Sequence, residues 1–339
     1  MKIALDAMGG DRAPGLIVEG ALQARAELGS DASIVLVGQK DAVLAEISRL
    51  GASPTAFEIA DARDVVAMGE QPSATLRRKK DSSIAVGLKL HSEGKAQGFI
   101  SAGNTGAVAA NALIILGRIK GVERPAIATV VPTKAGGCVL LDVGAGIEPR
   151  PSQLVQHAVM GACYARCVLS NPEPRVGLLN VGEESTKGTE VIQEAYRLLK
   201  ESDLNFVGNC EGRDIFAGRV EVAVCDGFVG NILLKFTESV VDMVYGVMKE
   251  SLTASLRAKA GALLLKPAFK RLRSAFDYAE YGGAPLLGVN GICTICHGSS
   301  SPRAIKNAVL ATRKYISYDI TSSIRERLSA GGNRITQGT

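Results

Sequence analysis

Tryptophan is absent from this 339-residue chain, and aromatic residues together make up 4% of it. A core of this size must then be filled by Val, Ile, Leu and Ala, which suits strands buried on both faces beneath helices. No run of about 18 apolar residues occurs, so no segment is expected to span a bilayer. The opening "MKIALDAMGGD" reaches an acidic residue at position 6 and leaves no room for a signal-peptide core. There are three histidines, which confines imidazole chemistry to few positions. Seven cysteines, an odd number scattered through apolar runs, read as reduced thiols of a cytoplasmic protein rather than a disulfide framework.

Several signatures are missing too. There is no G-x-x-x-x-G-K-[ST] and no complete G-x-G-x-x-G, since "GAGIEP" stops after its second glycine. No G-x-S-x-G nucleophile elbow is present. Cys293, Cys296 and His297 do stand in the C-x-x-C-H spacing of c-type haem attachment. In an extended segment, however, positions i and i+3 project to opposite faces, which cannot serve two thioether bonds to one porphyrin. Cys163 and Cys167 lie at i and i+4 on an expected helix with no second ligand pair, and read as core residues. His157 is expected to be satisfied or at the surface, and His91 to face solvent beside "HSEGK". No metal and no cofactor is expected.

What is present is an alternation of strands and helices. Strands are expected at 2–7, 33–37, 98–101, 126–131, 138–142, 176–180, 220–225 and 292–297, with helices in "TGAVAANALIIL", "SQLVQHAVMGACYARCVL", "EVIQEAYRLLK" and "NILLKFTESVVDMVYGVM". The pattern predicts an α/β fold, a largely parallel sheet with helices on both faces. One domain is expected over 1–327, with 328–339 as a frayed tail.

The strand ends carry the chemistry. "SAGNTG", "VGEESTKG", "DGFVGN" and "HGSSSP" each join a strand to a helix, and "DAMGGD" follows the first strand. Ser301 is placed as a helix N-cap with Pro302 at the first helical position. In an open parallel sheet such loops gather outside the carboxyl ends of the strands. Their glycines and free backbone N–H groups suit an anion at a helix N-terminus. The polar groups on offer are Asn104, Thr105, Asn180, Lys187, Asn231, His297, Ser299 and Ser300, with Asp6, Asp11 and Asp226. None is an obvious nucleophile, which fits a reaction whose nucleophile is a substrate and whose enzyme supplies positioning and charge stabilisation. Inorganic phosphate or a phosphate ester, held by helix N-termini and Lys187, fits this set.

Together, "ALDAMGGD", "SAGNTGA", "LLDVGA", "LLNVGEE…KG", "CDGFVGN", "EYGGAPLLGVNG" and "CHGSS" occur in an order that resembles the bacterial acyl-carrier-protein:phosphate acyltransferases, the PlsX family of phospholipid synthesis, over roughly residues 1 to 325. The resemblance implies a cytoplasmic homodimer with a fold like those of phosphotransacetylases and isocitrate-dehydrogenase-like enzymes. It implies that phosphate attacks the acyl-carrier-protein thioester, and that the acyl phosphate passes to a membrane glycerol-3-phosphate acyltransferase. On this footing Lys187, His297, Asn180 and Asn231 are the expected catalytic residues. Phosphate or substrate would be held by Asp6, Gly9, Gly10, Ser101, Gly103, Asn104, Thr105 and Gly106, and by Asp226, Gly227, Gly230, Gly298, Ser299 and Ser300. One departure is visible: the family usually has asparagine where this chain has Gly146. A phosphotransacetylase acting on a coenzyme A thioester would use the same loops, and a non-catalytic carrier-protein or membrane binding module would use the basic segment below alone.

The formal charge of +5 is mild, and no nucleic-acid partner is expected. Positive charge is nonetheless clustered in 251–276, where Arg257, Lys259, Lys266, Lys270, Arg271 and Arg273 stand among Leu263, Leu264 and other apolar residues without one acid. Pro267 is expected to divide this segment into two helices. A basic amphipathic stretch reads as a contact for an anionic membrane or an acidic carrier protein.

Overall fold

The structure, a computed structural model, describes residues 1–276 and 282–335. Eleven strands form one mixed sheet in the order β3-β2-β1-β4-β11-β10-β5-β6-β9-β7-β8. The first half holds β1 (Lys2–Asp6), α1 (Gly15–Leu28), β2 (Ser33–Gly38), α2 (Lys40–Arg49), β3 (Glu58–Asp61), α3 (Pro72–Arg78), α4 (Ser83–Ser92), β4 (Gly98–Ser101) and α5 (Thr105–Ile115). Next come β5 (Ala126–Thr133), β6 (Gly136–Leu141), α6 (Pro151–Val168), β7 (Val176–Leu179), α7 (Glu190–Lys200), β8 (Phe206–Cys210), α8 (Gly212–Ala217) and β9 (Val222–Val224). Two long helices follow, α9 (Gly227–Thr253) and α10 (Leu256–Phe276). The chain then returns through β10 (Ala284–Leu287), β11 (Cys293–Ile295), α11 (Pro302–Ser317) and α12 (Ile320–Ile335).

The inner strands are short, apolar and buried on both faces, as a core without tryptophan requires, with β4 buried along its whole length, while the edge strands β3 and β8 are partly exposed. Helices approach closely where the sequence has glycine. A Cβ at Gly87 of α4 would lie 2.4 Å from the Phe99 ring of β4. Tyr164 of α6 and Tyr315 of α11, both fully buried, satisfy each other through a 2.9 Å hydroxyl contact.

The direction of the strands differs from the simple expectation. β10 is antiparallel to both β11 and β5, and β5 is antiparallel to β6. These reversals turn β6, β9, β7 and β8 against β1, β2, β3, β4 and β11. The carboxyl ends of the two groups therefore lie at opposite edges of the sheet, and the polar loops form two rims rather than one.

Other expectations shift locally. Pro267 lies inside α10 and does not divide it; it is exposed, where water can serve the carbonyl it leaves unpaired. α12 continues through Ile335, past Leu328, where a frayed tail was expected; Leu328 itself is buried, and 336–339 lie outside the described residues. All seven cysteines are buried and unpaired. Cys293 and Cys296 pack into separate apolar clusters, as opposite faces of a strand demand. Burial pushes both thiols up to about 12. Among the described residues no helix is long and apolar enough to cross a membrane.

Two histidines depart from the sequence reading. His91, expected in solvent, is largely buried: its Nδ1 faces the Ala96 carbonyl at 3.0 Å, and its Nε2 accepts the Ile292 N–H at 2.9 Å. It thereby ties the end of α4 to the start of β11. His157 is 1% exposed on α6 near the Arg124 backbone, and among the described residues neither ring nitrogen makes a hydrogen bond of good geometry. Burial holds both imidazoles below their ordinary pKa, for His157 against the pull of the Asp142 carboxylate.

Because the folded state disfavours their protonation, these histidines contribute stability that is complete above the ordinary imidazole pKa and lost as pH falls below it. The urea midpoint is expected to be lower at about pH 5.5 than at about pH 7.5, and His91→Gln should flatten part of that difference. An unchanged pH dependence in the variant would show that the His91 tie is not titrated.

Candidate active site

At the first rim, the loops after β1, β4 and β11 are knit into one unit. Asp6, 1% exposed at the end of β1, accepts the Ser101 hydroxyl at 2.6 Å and the Met8 N–H at 3.0 Å. Burial pushes its pKa up, against hydrogen bonds from Ser101, Ser83, Met8 and Gly9 that favour the carboxylate. The Ser101 hydroxyl in turn accepts the Gly103 N–H at 3.0 Å. A Cβ on Gly9 would lie 2.6 Å from both Asp6 Oδ2 and Gly103 N, so glycine is what lets the first two loops touch. The third loop joins through Asp11, whose N–H donates to the Gly298 carbonyl at 2.8 Å, beside Gly10 at φ +116°.

The expected binding residues therefore divide by depth. Asp6, Ser101 and Ser300 are buried and hold the loops from beneath rather than facing a ligand. Asn104 caps α5: its Oδ1 accepts the Ala107 N–H, and its Nδ2 donates to the carbonyls of Met68 and Glu70. Thr105 and Gly106 are exposed in the first turn of α5. Ser301 caps α11 through the Ala304 N–H, with Pro302 at the first helical position, as expected. β4 and β11 are neighbours in parallel register, Ile295 beside Ser101, so α5 and α11 start side by side at this rim. Neither has an acid in its first turn. Two helix N-termini of this kind attract an anion.

His297 is exposed beside them. Its Nδ1 accepts the Ser299 N–H at 3.2 Å and meets the Ser299 hydroxyl at 2.8 Å. With Nδ1 accepting, the hydrogen-bond pattern assigns the neutral ring's proton to Nε2, which is then a donor.

The second rim gathers the other expected residues, which the structure does not bring into the first. Asn180 spends its side chain on its own loop, accepting the Val181 N–H and donating to the Lys187 carbonyl. Lys187 is exposed, and its ammonium makes no ion pair among the described residues. Asp226 caps α9 through the Phe228 and Val229 amides, which leaves an acidic group at that N-terminus. A Cβ on Gly227 would meet Gly146 O at 2.7 Å, and one on Gly230 would run into the Asp142 carbonyl, so both glycines serve packing. Asn231 lies inside α9, past its cap. Asp142, fully buried, accepts the amides of Ile127, Gly144, Ala145 and Gly146. At Gly146, a Cβ would lie 2.8 Å from Arg124 Nε: the guanidinium occupies the space of the missing side chain.

Sequence reasoning missed the 66–71 loop. Its Met68 and Glu70 carbonyls hold Asn104, and Met68 Cε stands 2.8 Å from where a Gly298 Cβ would be. Lys79 fastens this loop, donating to Glu70 at 2.5 Å and to the Val65 carbonyl at 2.6 Å. The signal available was the basic run "RRKK" (77–80), which stands out without indicating what it touches. Of the basic segment, Leu263 and Leu264 are 71% and 83% exposed. Arg257, Lys259 and Lys266 are exposed as well, while the side chains of Lys270, Arg271 and Arg273 lie outside the described set. Glu280 and Tyr281 of the "EYGGAPLLGVNG" motif lie outside the described residues. Among the described residues no group of three His, Cys, Asp or Glu is placed to hold a metal ion.

Residues 1–323 match the sequence profile of the family described as fatty acid synthesis protein. The phosphate acyltransferase of Heliobacterium modesticaldum is 51% identical over 329 residues, covering 97% of this chain and 98% of that protein. The phosphate acyltransferase of Pelotomaculum thermopropionicum is 50% identical over 343 residues, covering 99% of each. Among solved structures, a phosphotransacetylase from Streptococcus pyogenes superposes with a TM-score of 0.63 at 18% identity, covering 94% of both chains. The EutD phosphotransacetylase from Staphylococcus aureus gives 0.60 at 16% identity, covering 93% of this chain and 94% of that one. At such identities the likeness is one of fold.

Gly9→Ala tests the packing of the first rim. The added methyl pushes apart the loops that start α5 and follow β1, and turnover is expected to fall about tenfold or more while the protein stays folded. Full activity in this variant would show that the spacing of these loops does not matter to the reaction.

Proposed function

The chain belongs to the fatty acid synthesis protein family and is an acyltransferase; on that premise we propose that it transfers an acyl group from acyl carrier protein to inorganic phosphate. One observation carries the proposal: two helix N-termini, α5 and α11, start from adjacent parallel strands with no acid in either first turn, beside the exposed imidazole of His297, whose Nδ1 accepts the Ser299 amide. Phosphate bound by the first-turn amides of α5 presents an oxygen to the thioester carbonyl. The new C–O bond forms, negative charge collects on the carbonyl oxygen, and collapse breaks the C–S bond. The products are acyl phosphate and the carrier thiolate, which takes up a proton. Phosphate is already anionic at neutral pH, so no strong base is required. His297 Nε2–H is the donor suited to the developing oxyanion or to the departing sulfur.

The four residues expected to be catalytic are thus reduced to one at this rim. Lys187, whose ammonium makes no ion pair among the described residues, remains available for an anion at the second rim, while the side-chain amide of Asn180 is occupied by its own loop. Ser299 supports a second reading, since its hydroxyl stands 2.8 Å from His297 Nδ1 in the geometry of an activated nucleophile. The direct attack is favoured because the same Nδ1 also accepts the Ser299 amide, which holds the pair as a local turn.

Two further parts of the proposal rest on α9 and α10. Phe228, Ile232, Phe236, Met243 and Val247 form an exposed apolar stripe along α9 at spacings of four or seven residues, which fits burial against a second copy in a homodimer. Leu263, Leu264 and Leu265 are exposed in a row on α10 between Lys259 and Lys266, which fits insertion into an anionic membrane surface at the cytoplasmic face. An enzyme so placed releases its lipid product beside a membrane glycerol-3-phosphate acyltransferase.

The reaction is tested by incubating acylated carrier protein with phosphate: acyl phosphate and free carrier thiol are expected in equal amounts, and only when phosphate is present. Faster turnover of the coenzyme A thioester would favour a phosphotransacetylase, and thiol release without acyl phosphate would overturn the transfer. His297→Ala is expected to lower kcat by about 10²–10³, the usual loss of one well-aimed donor. Ser299→Ala should stay within about tenfold of wild type, whereas a covalent route would be abolished. In co-sedimentation with anionic vesicles, Leu263→Glu with Leu264→Glu is expected to release the protein; unchanged binding would remove the membrane reading.

A further inference from the structure

The helix that abuts the candidate site carries charge that the site does not use. α3 begins at Pro72, whose Cγ lies 2.7 Å from where a Cβ on Gly106 would be, so the first turns of α3 and α5 are in contact. The loop just before it holds Asn104 through Met68 and Glu70. Along α3 from this anchor come Arg77 and Arg78, then Lys79 and Lys80. Lys79 turns inward to Glu70 and the Val65 carbonyl. Arg77, Arg78 and Lys80 are exposed and make no ion pair among the described residues. Lys89 of α4, also exposed, donates its ammonium to the Lys80 carbonyl at 3.1 Å and adds a fourth cation to the same end. The acid beside them, Asp81, is 3.9 Å from Arg63. Asp64, joined to Asp81 through its backbone N–H, is the second acid here, so with Arg63 five cations stand against two acids; the surplus makes a local positive field, which attracts and orients an anionic partner.

We propose that the surface formed by Arg77, Arg78, Lys80 and Lys89 docks an acidic protein, the carrier that presents the acyl thioester to the loops at the start of α5 and α11. The proposal rests on the acyl transfer argued above and names where its protein substrate lands. α3 has seven residues, so its basic end lies about 10 Å from Pro72 at 1.5 Å per residue. A carrier docked at that end has its thioester arm directed along α3 toward the rim. A lipid surface is the poorer occupant. Among the described residues from Pro72 to Leu90 no large apolar side chain is exposed, whereas α10 offers Leu263 and Leu264.

The experiment compares wild type with Arg77→Glu/Arg78→Glu/Lys80→Glu on two acyl donors, the acylated carrier protein and the neutral acyl-pantetheine thioester. The KM for the carrier is expected to rise about tenfold or more in the variant, with kcat within about twofold and the pantetheine kinetics unchanged. The fall of kcat/KM for the carrier with rising salt should flatten as well. Charge reversals at exposed sites elsewhere, Lys40→Glu and Lys200→Glu, should leave the KM alone. An unchanged KM for the carrier overturns the proposal, and so does an equal loss with the neutral thioester, which would mean damage to the site. The milder Arg77→Gln/Arg78→Gln is expected to fall between; a drop in its kcat with both donors would likewise count against docking. If wild type cleaves neither thioester, the reaction itself fails, and the surface is then decided by titrating the carrier directly: affinity about tenfold weaker in the triple variant supports it, equal affinity overturns it.

Discussion

The Asp6 carboxylate is buried at the end of β1 and receives hydrogen bonds from the Ser101 hydroxyl and the Met8 amide. Removing a charged group from water is costly unless such partners surround it, so the loop after β1 and the end of β4 must close around it. The touch of Gly9 on Gly103, the start of α5 and the seat of Asn104 all follow from that closure. Asp142 does the same at the second rim, where the amides of Gly144, Ala145 and Gly146 turn inward to it. In both cases a Leu-Asp pair ends a strand and glycine follows within a few residues. A buried carboxyl group thereby holds each rim from beneath, and at the first rim neither α5 nor α11 carries an acid in its first turn.

Much of this frame was legible in the sequence. Buried strands announced themselves as short apolar runs, and Ser301–Pro302 marked the start of α11. The reversal of direction was legible too, though only in connection lengths. Lys134 and Ala135 alone separate β5 from β6, and a parallel crossover needs a dozen or more residues. What could not be read was the place of β10, a strand of four residues including a proline, which sits antiparallel between β11 and β5 and leaves β5 running with β11, so that the β5–β6 hairpin turns the second group of loops to the far edge. Five similar loops suggested one site because sequence similarity carries no information about which edge each loop occupies.

The candidate residues divide along a related line. A glycine needed by a ligand and a glycine needed by a neighbouring backbone look alike, since both express the absence of a Cβ. Gly227 and Gly230 belong to the second kind, as does Gly9. Asn104 and Asn180 were correctly seen as loop residues, but their amides are consumed by nearby carbonyls, one of them 36 positions away. His91 bonds to an amide 201 positions distant, a partner no local pattern reveals. His297 was singled out at a strand end, and the contact that orders its ring is only two residues along the chain, where its Nδ1 accepts the Ser299 amide.

The seven cysteines have a practical consequence. All are buried, and the thiols of Cys210, Cys293 and Cys296 are each pushed up to about 12, so at neutral pH they offer almost no thiolate to an alkylating reagent. A cysteine introduced on the surface would be the one thiol that reacts quickly, against a silent background and with no need to strip native residues from the core. Paired spectroscopic labels could then measure the distance from α10 to the first rim in a molecule whose interior is otherwise untouched.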